Sequence, residues 1–126
     1  MQNQSQFVVL GKLDKAGIAC SGACAIHCLL LPVIAFASPM ISSLLHNEWI
    51  HIALLLTLFP IAMISFSKSY KVHKNIKASV FGGCGVVLLL LAFALEGHQI
   101  SEVMTAIGSV SLIIGHALNM TYLRKI

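Results

Sequence analysis

The stretch "CSGACAIHC", residues 20–28, places three thiols and one imidazole within two and a half helical turns. Thiolate and imidazole are the side chains that hold soft and borderline metal ions. On a helix advancing about 100° per residue, Cys20, Cys24 and Cys28 form an i, i+4, i+8 stripe with His27 on its edge, so one face carries all four. Gly17 and Ser21 border that face, which is expected to point toward other helices rather than outward. A single cysteine in such a setting is a small packing residue; three at helical spacing beside a histidine make a ligand set.

Further donors recur along the chain. "NEWIH" sets Glu48 and His51 at i, i+3, the spacing by which helical bundles present Glu-x-x-His ligands. Glu96, His98 and Glu102 decorate a later connection, Cys84 sits in the third apolar block, and His116 lies deep in the fourth with Asn119 one turn further on. The candidate metal ligands are therefore Cys24, His27 and Cys28, joined by Glu48, His51, His116, Cys20 and Cys84. They are expected to form a ladder of partial sites, which suits an ion that must both enter and leave. His46 and His73 read as surface residues, and no residue is assigned a catalytic role.

The elements that must position these groups are set by composition. Of 126 residues, 58% are apolar and 10% charged, with mean hydropathy +0.92, about half the charged fraction usual in a soluble domain. Four apolar blocks, roughly 16–37, 49–67, 78–95 and 103–123, are each long enough to cross a hydrocarbon core of about 30 Å. Backbone in lipid must satisfy its own hydrogen bonds, so the blocks are helices. The expected fold is all-α: one transmembrane domain over 1–126, four helices in an up-down-up-down bundle. The N-terminal stretch carries Lys12, Asp14 and Lys15 and no secretory h-region with a small-residue cleavage site, so the first block is expected to be a true span.

The net charge of +4 gives orientation rather than a nucleic-acid partner. Lys12 and Lys15, then Lys68, Lys71, Lys74 and Lys77, then Arg124 and Lys125 all fall on one side of an even number of spans, while the other two connections hold Glu48, Glu96 and Glu102. The positive-inside bias makes both termini and the 68–77 connection cytoplasmic. Gly82, Gly83 and Gly85, and Gly108, Ser111 and Gly115, supply small faces for close helix approach; a homo-oligomer is compatible with them. Pro32 and Pro60 are expected to kink their helices, and "SPMISSLLHN" reads as a short interfacial helix.

"DKAGIACSGACAIHCLLLP", followed by "EWIHIALLL", a basic second connection and "GHALNM", resembles the MerC family of small bacterial inner-membrane proteins named for mercury resistance. The resemblance runs from about Lys12 to Arg124. It implies four membrane helices and uptake of mercuric ion through first-span thiols, carried here to Cys24 and Cys28 with His27 between them. Mercury-resistance members pair those cysteines as C-x-x-C and carry a second pair near the C-terminus; here the pattern is Cys24-x-x-His27-Cys28, and "TYLRKI" has no cysteine. Mixed thiolate, imidazole and carboxylate ligation suits zinc as well as mercury, with copper and iron after them.

The expectation is thus a multi-pass protein of the bacterial inner membrane whose partners are lipid and a divalent metal ion, moving Hg(II) or Zn(II) by ligand exchange without a nucleotide-binding loop. The alternative is a fixed metal or non-covalent haem, axially held by His27 or His51 with His116, in a redox protein, a sensor or a small metalloenzyme. A disulfide-exchange center is the weakest reading, because i, i+4 on one helix is poor disulfide geometry.

Overall fold

The computed structural model describes residues 3–45, 47–95 and 97–125, excepting the side chains of Asn3, Leu31, Pro32, Leu45, Glu48 and Gln99. Its elements are α1 (Asn3–Ala37), α2 (Pro39–Leu45), α3 (Glu48–His73), α4 (Ile76–Ala94) and α5 (Gln99–Arg124). Four of them are long and apolar enough to cross a membrane, making this a multi-pass, all-helical membrane protein. The short helix expected at "SPMISSLLHN" is α2, which packs back on α1.

The helices extend past the apolar blocks that signal them. Lys12, Asp14 and Lys15 lie inside α1, and Lys68 and Lys71 lie inside α3. The basic 68–77 connection is correspondingly not a loop but two residues, Lys74 and Asn75, between helix ends. Lys74 caps α3 in the left-handed region (φ 56°), and its N–H returns to the Tyr70 carbonyl. Asn75 caps α4 by accepting the Lys77 N–H, as Asn47 caps α3 by accepting that of Trp49; both are the Asx caps that satisfy otherwise orphaned first-turn donors. α1 and α3 run without interruption through positions 32 and 60.

Each helix packs on two neighbours in the ring α1–α3–α4–α5, with a lighter diagonal contact of α3 on α5; α1 and α4 do not touch among the described residues. The most extensive packing is α4 on α5, where small residues let the backbones meet. A Cβ at Gly115 would stand 2.8 Å from Gly82 N, and one at Gly85 would stand 2.8 Å from the Gly108 carbonyl. Ser111 adds a hydrogen bond to the Phe81 carbonyl at 2.8 Å. Gly83, by contrast, faces open space.

Buried apolar residues Leu58, Ala62, Leu89 and Leu112 fill the bundle axis together with Cys24 and Cys28. Large apolar side chains, among them Leu29, Val33, Phe59, Val87, Ile107 and Val110, cover the outside, where only lipid makes them stable. At one end, Lys68 and Lys71 lie beside Gln6, and Lys12 and Lys15 beside Arg124, so the basic residues of α1, α3 and α5 gather there.

Candidate metal centre and a buried carboxylate

α1 turns one continuous stripe into the bundle: Asp14, Gly17, Ser21, Cys24 and Cys28 are all buried and recur at spacings of three and four. That is the repeat by which a helix keeps one seam against its neighbours. The stripe carries two separate polar sites, about 15 Å apart from Asp14 to Cys24 at 1.5 Å per residue.

At the upper site α1 meets the first turn of α3. Donor atoms of His27, Cys28 and His51 all lie within 4.8 Å of one another. The two imidazoles stand edge to face with ring centroids 5.2 Å apart. Cys24, one turn below, touches the Cys28 thiol and Ser109 of α5. A cavity of about 30 Å³ adjoins this cluster, lined by Cys24, His51, Ser101 and Thr105 with apolar walls from Leu54, Leu58 and Leu89; that is room for at least one water. Both thiols are buried, whereas His27 and His51 are half-buried.

The remaining candidates lie elsewhere. Cys20 is half-buried on α1, packed against the apolar core. Cys84 is exposed on the outer side of α4, because Gly82 and Gly85 take the inward positions of that turn. His98 is exposed at the start of α5, its ring against the Leu95 carbonyl, and Glu102 is exposed one turn on. The side chain of Glu48, with Glu96 and His46, falls outside the described residues.

His116 does not join the thiols. It belongs to the lower site, built on Asp14, a residue the sequence pattern leaves among the polar flank. Asp14 is fully buried. Its Oδ1 stands 2.8 Å from His116 Nδ1 and accepts the Ser65 hydroxyl, while the Asn119 amide donates to Oδ1 and Oδ2 at 3.0 and 2.9 Å. Asn119 also reaches Ser69, and its Oδ1 lies 2.7 Å from His73 Nε2. His73 Nδ1 accepts the Asn75 N–H, which makes Nε2 the ring's hydrogen-bearing atom. His73 is therefore not a bare surface residue but the outermost member of this network. Asp14 could have been found by continuing the seam Cys28, Cys24, Ser21, Gly17 downward at its alternating spacings of four and three.

Compared with protein-family models, the chain matches the one described as MerC mercury resistance protein over residues 14–121. The chain belongs to the MerC family. No curated protein and no solved structure gives a match. MerC membership and four spanning helices make this a membrane protein of the mercury-resistance transport type. The matched span opens at Asp14 and takes in the whole stripe of α1, the start of α3 and the His116–Asn119 turn of α5.

Proposed function

We propose that this MerC-family protein carries a soft or borderline divalent metal ion, Hg(II) or Zn(II), inward across the bacterial cytoplasmic membrane, with Cys24, His27, Cys28 and His51 as its transient binding site. The observation that carries this reading is the convergence of His27, Cys28 and His51 within 4.8 Å, with the Cys24 thiol against Cys28. Zinc bonds of about 2.0–2.3 Å set donor separations of roughly 3.4–3.8 Å in a tetrahedral site. Closing the cluster around an ion therefore needs side-chain movements on the order of 1 Å, within the reach of rotamer adjustment and without displacement of a helix.

The half-buried imidazoles meet the ion first and the buried thiols take it over, exchanging one ligand at a time so that the ion is never bare in the low-dielectric interior. The inward direction follows from the basic end of the bundle, which the positive-inside bias assigns to the cytoplasm; Cys24, one turn before Cys28 on α1, is the donor of the cluster nearest that end. With no phosphate-binding loop in the sequence, the gradient of the ion or the membrane potential drives the movement. Copper and iron are further ions that thiolate and imidazole donors can hold. A haem ligated through His116 is disfavoured by packing: His116 Nδ1 is held by Asp14, and its Nε2 faces the backbone of Gly17 so closely that even a Cβ would collide.

The test is uptake of Hg(II) and of Zn(II) into sealed vesicles containing the purified protein, against the double variant Cys24→Ser, Cys28→Ser. The variant is expected to insert with unchanged helicity and to lose capture. Uptake by the variant at the parent rate would refute the thiol site.

A further inference from the structure

Two buried side-chain atoms, Ser21 Oγ and His116 Nε2, have no hydrogen-bond partner among the described residues, although neither residue is exposed at all. They occupy the interval between the carboxylate and the thiols: His116 Nε2 abuts Gly17, and Ser21 is the next stripe position toward Cys24. A buried polar atom left without a partner is uncommon and calls for a functional account.

The protonation pattern around Asp14 supplies one. Hydrogen-bond donors converge on both carboxylate oxygens, the arrangement of an ionised carboxylate, which only accepts. His116 Nδ1 then carries the hydrogen between them, and Nε2 is the one ring position whose protonation is not fixed by a neighbour. With Nε2 bare, the buried pair carries net charge −1; with Nε2 protonated it is neutral, and every hydrogen bond to Asp14 stays in place. Phe66 lies against the imidazole at 4.6 Å between centroids and 33°, a face that favours an imidazolium. Other charged or titratable groups stand off. Lys12 and Lys15 project from the exposed side of α1, α3 presents His73 at the far side of Asn119 with Tyr122 of α5 beside it, and α4 offers Ala78 and Gly82.

We propose that Asp14 and His116 form a buried one-proton site, with Nε2 the atom that gains and loses the proton while Asp14 remains a carboxylate. Uptake forms the Nε2–H bond with a proton from water and release breaks it, so the charge of the buried pair changes by one and every other bond of the network stays as it is.

A network serving only to pin α1, α3 and α5 together would hold His116 in one protonation state, which gives the test its contrast. In metal-free protein in detergent, ¹⁵N-histidine NMR, with His116 assigned from a His116→Gln variant, is expected to show Nε2 passing from bare to protonated as the pH is lowered. Asp14→Asn should displace or abolish that transition. A single unchanging His116 state in the wild type would overturn the proton site, whether or not the variant folds.

Discussion

Gly115→Ala, paired with Gly83→Ala, separates steric demand from helix propensity at the most extensive interface of the bundle. At Gly115 an added Cβ would meet only backbone: Gly82 N at 2.8 Å, Gly82 Cα at 3.1 Å and the Ala78 carbonyl at 3.2 Å. Ordinary contact begins at 3.4 Å, so α4 and α5 must part by about 0.6 Å (3.4 less 2.8), a gap that forfeits a quarter to a half of the dispersion energy of each contact it opens. Backbone cannot rotate aside as a side chain can, so the overpacking cost is the usual one, about 1–3 kcal/mol. Replacing Gly in a helix also gains up to about 1 kcal/mol. Gly83 measures that gain alone, since nothing lies within 4 Å of its Cβ position. Unfolding each variant in mixed micelles and subtracting one from the other leaves the steric part, an expected tenfold to hundredfold difference in folding equilibrium constant. Equal stability of the two variants would refute the close α4–α5 approach.

Two expectations concern the metal path. His51→Ala removes one of the three converging donors while leaving the thiols, so the apparent dissociation constant for Zn(II), followed by competition with a chromophoric chelator, should rise by at least the roughly 10- to 100-fold that loss of an outer-shell partner costs; an unchanged constant would remove α3 from the site. Cys84→Ser should leave both capture and stability as they were, since the thiol is exposed on the far side of α4. Lost uptake in that variant would return Cys84 to the path.

Hydrophobic run length makes the four spans legible, because lipid demands nearly uniform apolar segments and tolerates no other spanning structure than helices or closed barrels. The helix ends were not legible by the same signal. Polarity stops a helix from being lipid-soluble, not from being helical, so α1 continues through Lys12, Asp14 and Lys15, and α3 through Lys68 and Lys71. The grouping of Cys24, His27 and Cys28 follows from helical periodicity within one element. Their meeting with His51 depends on the offset between antiparallel helices, which one helix's periodicity cannot supply. The inner rung of the expected ladder fails to form for a related reason: depth along the axis is readable from sequence, but Cys84 and His116 sit at comparable depth on faces pointing in different directions. Asp14 was hidden by its company, two lysines that mark a polar flank, although its spacing from Gly17 continues the stripe.

The energetics of that carboxylate argue against a purely structural role. Burying a charge is unfavourable even when it is paired, and apolar groups of similar volume often stabilise a core as well or better. Asp14→Leu alone would strand the donors of His116, Asn119 and Ser65, each stranded donor costing about 1–3 kcal/mol. Converting the three charged or amide members together, Asp14→Leu with His116→Leu and Asn119→Leu, removes the donors to Asp14 with their acceptor; the hydroxyls of Ser65 and Ser69 can turn to backbone carbonyls of their own helix, and the Nε2–H of half-buried His73 is left to solvent. The triple variant should therefore be more stable than the single one, and not far from the parent, in the same mixed-micelle unfolding assay, yet lack the proton uptake that the Asp14–His116 site adds in the parent. A triple variant less stable than Asp14→Leu would mean that the network exists to hold α1, α3 and α5 together. Recovery of stability without recovery of the proton site would mean that the bundle tolerates a buried charge there for what the charge does, since packing alone does not require it.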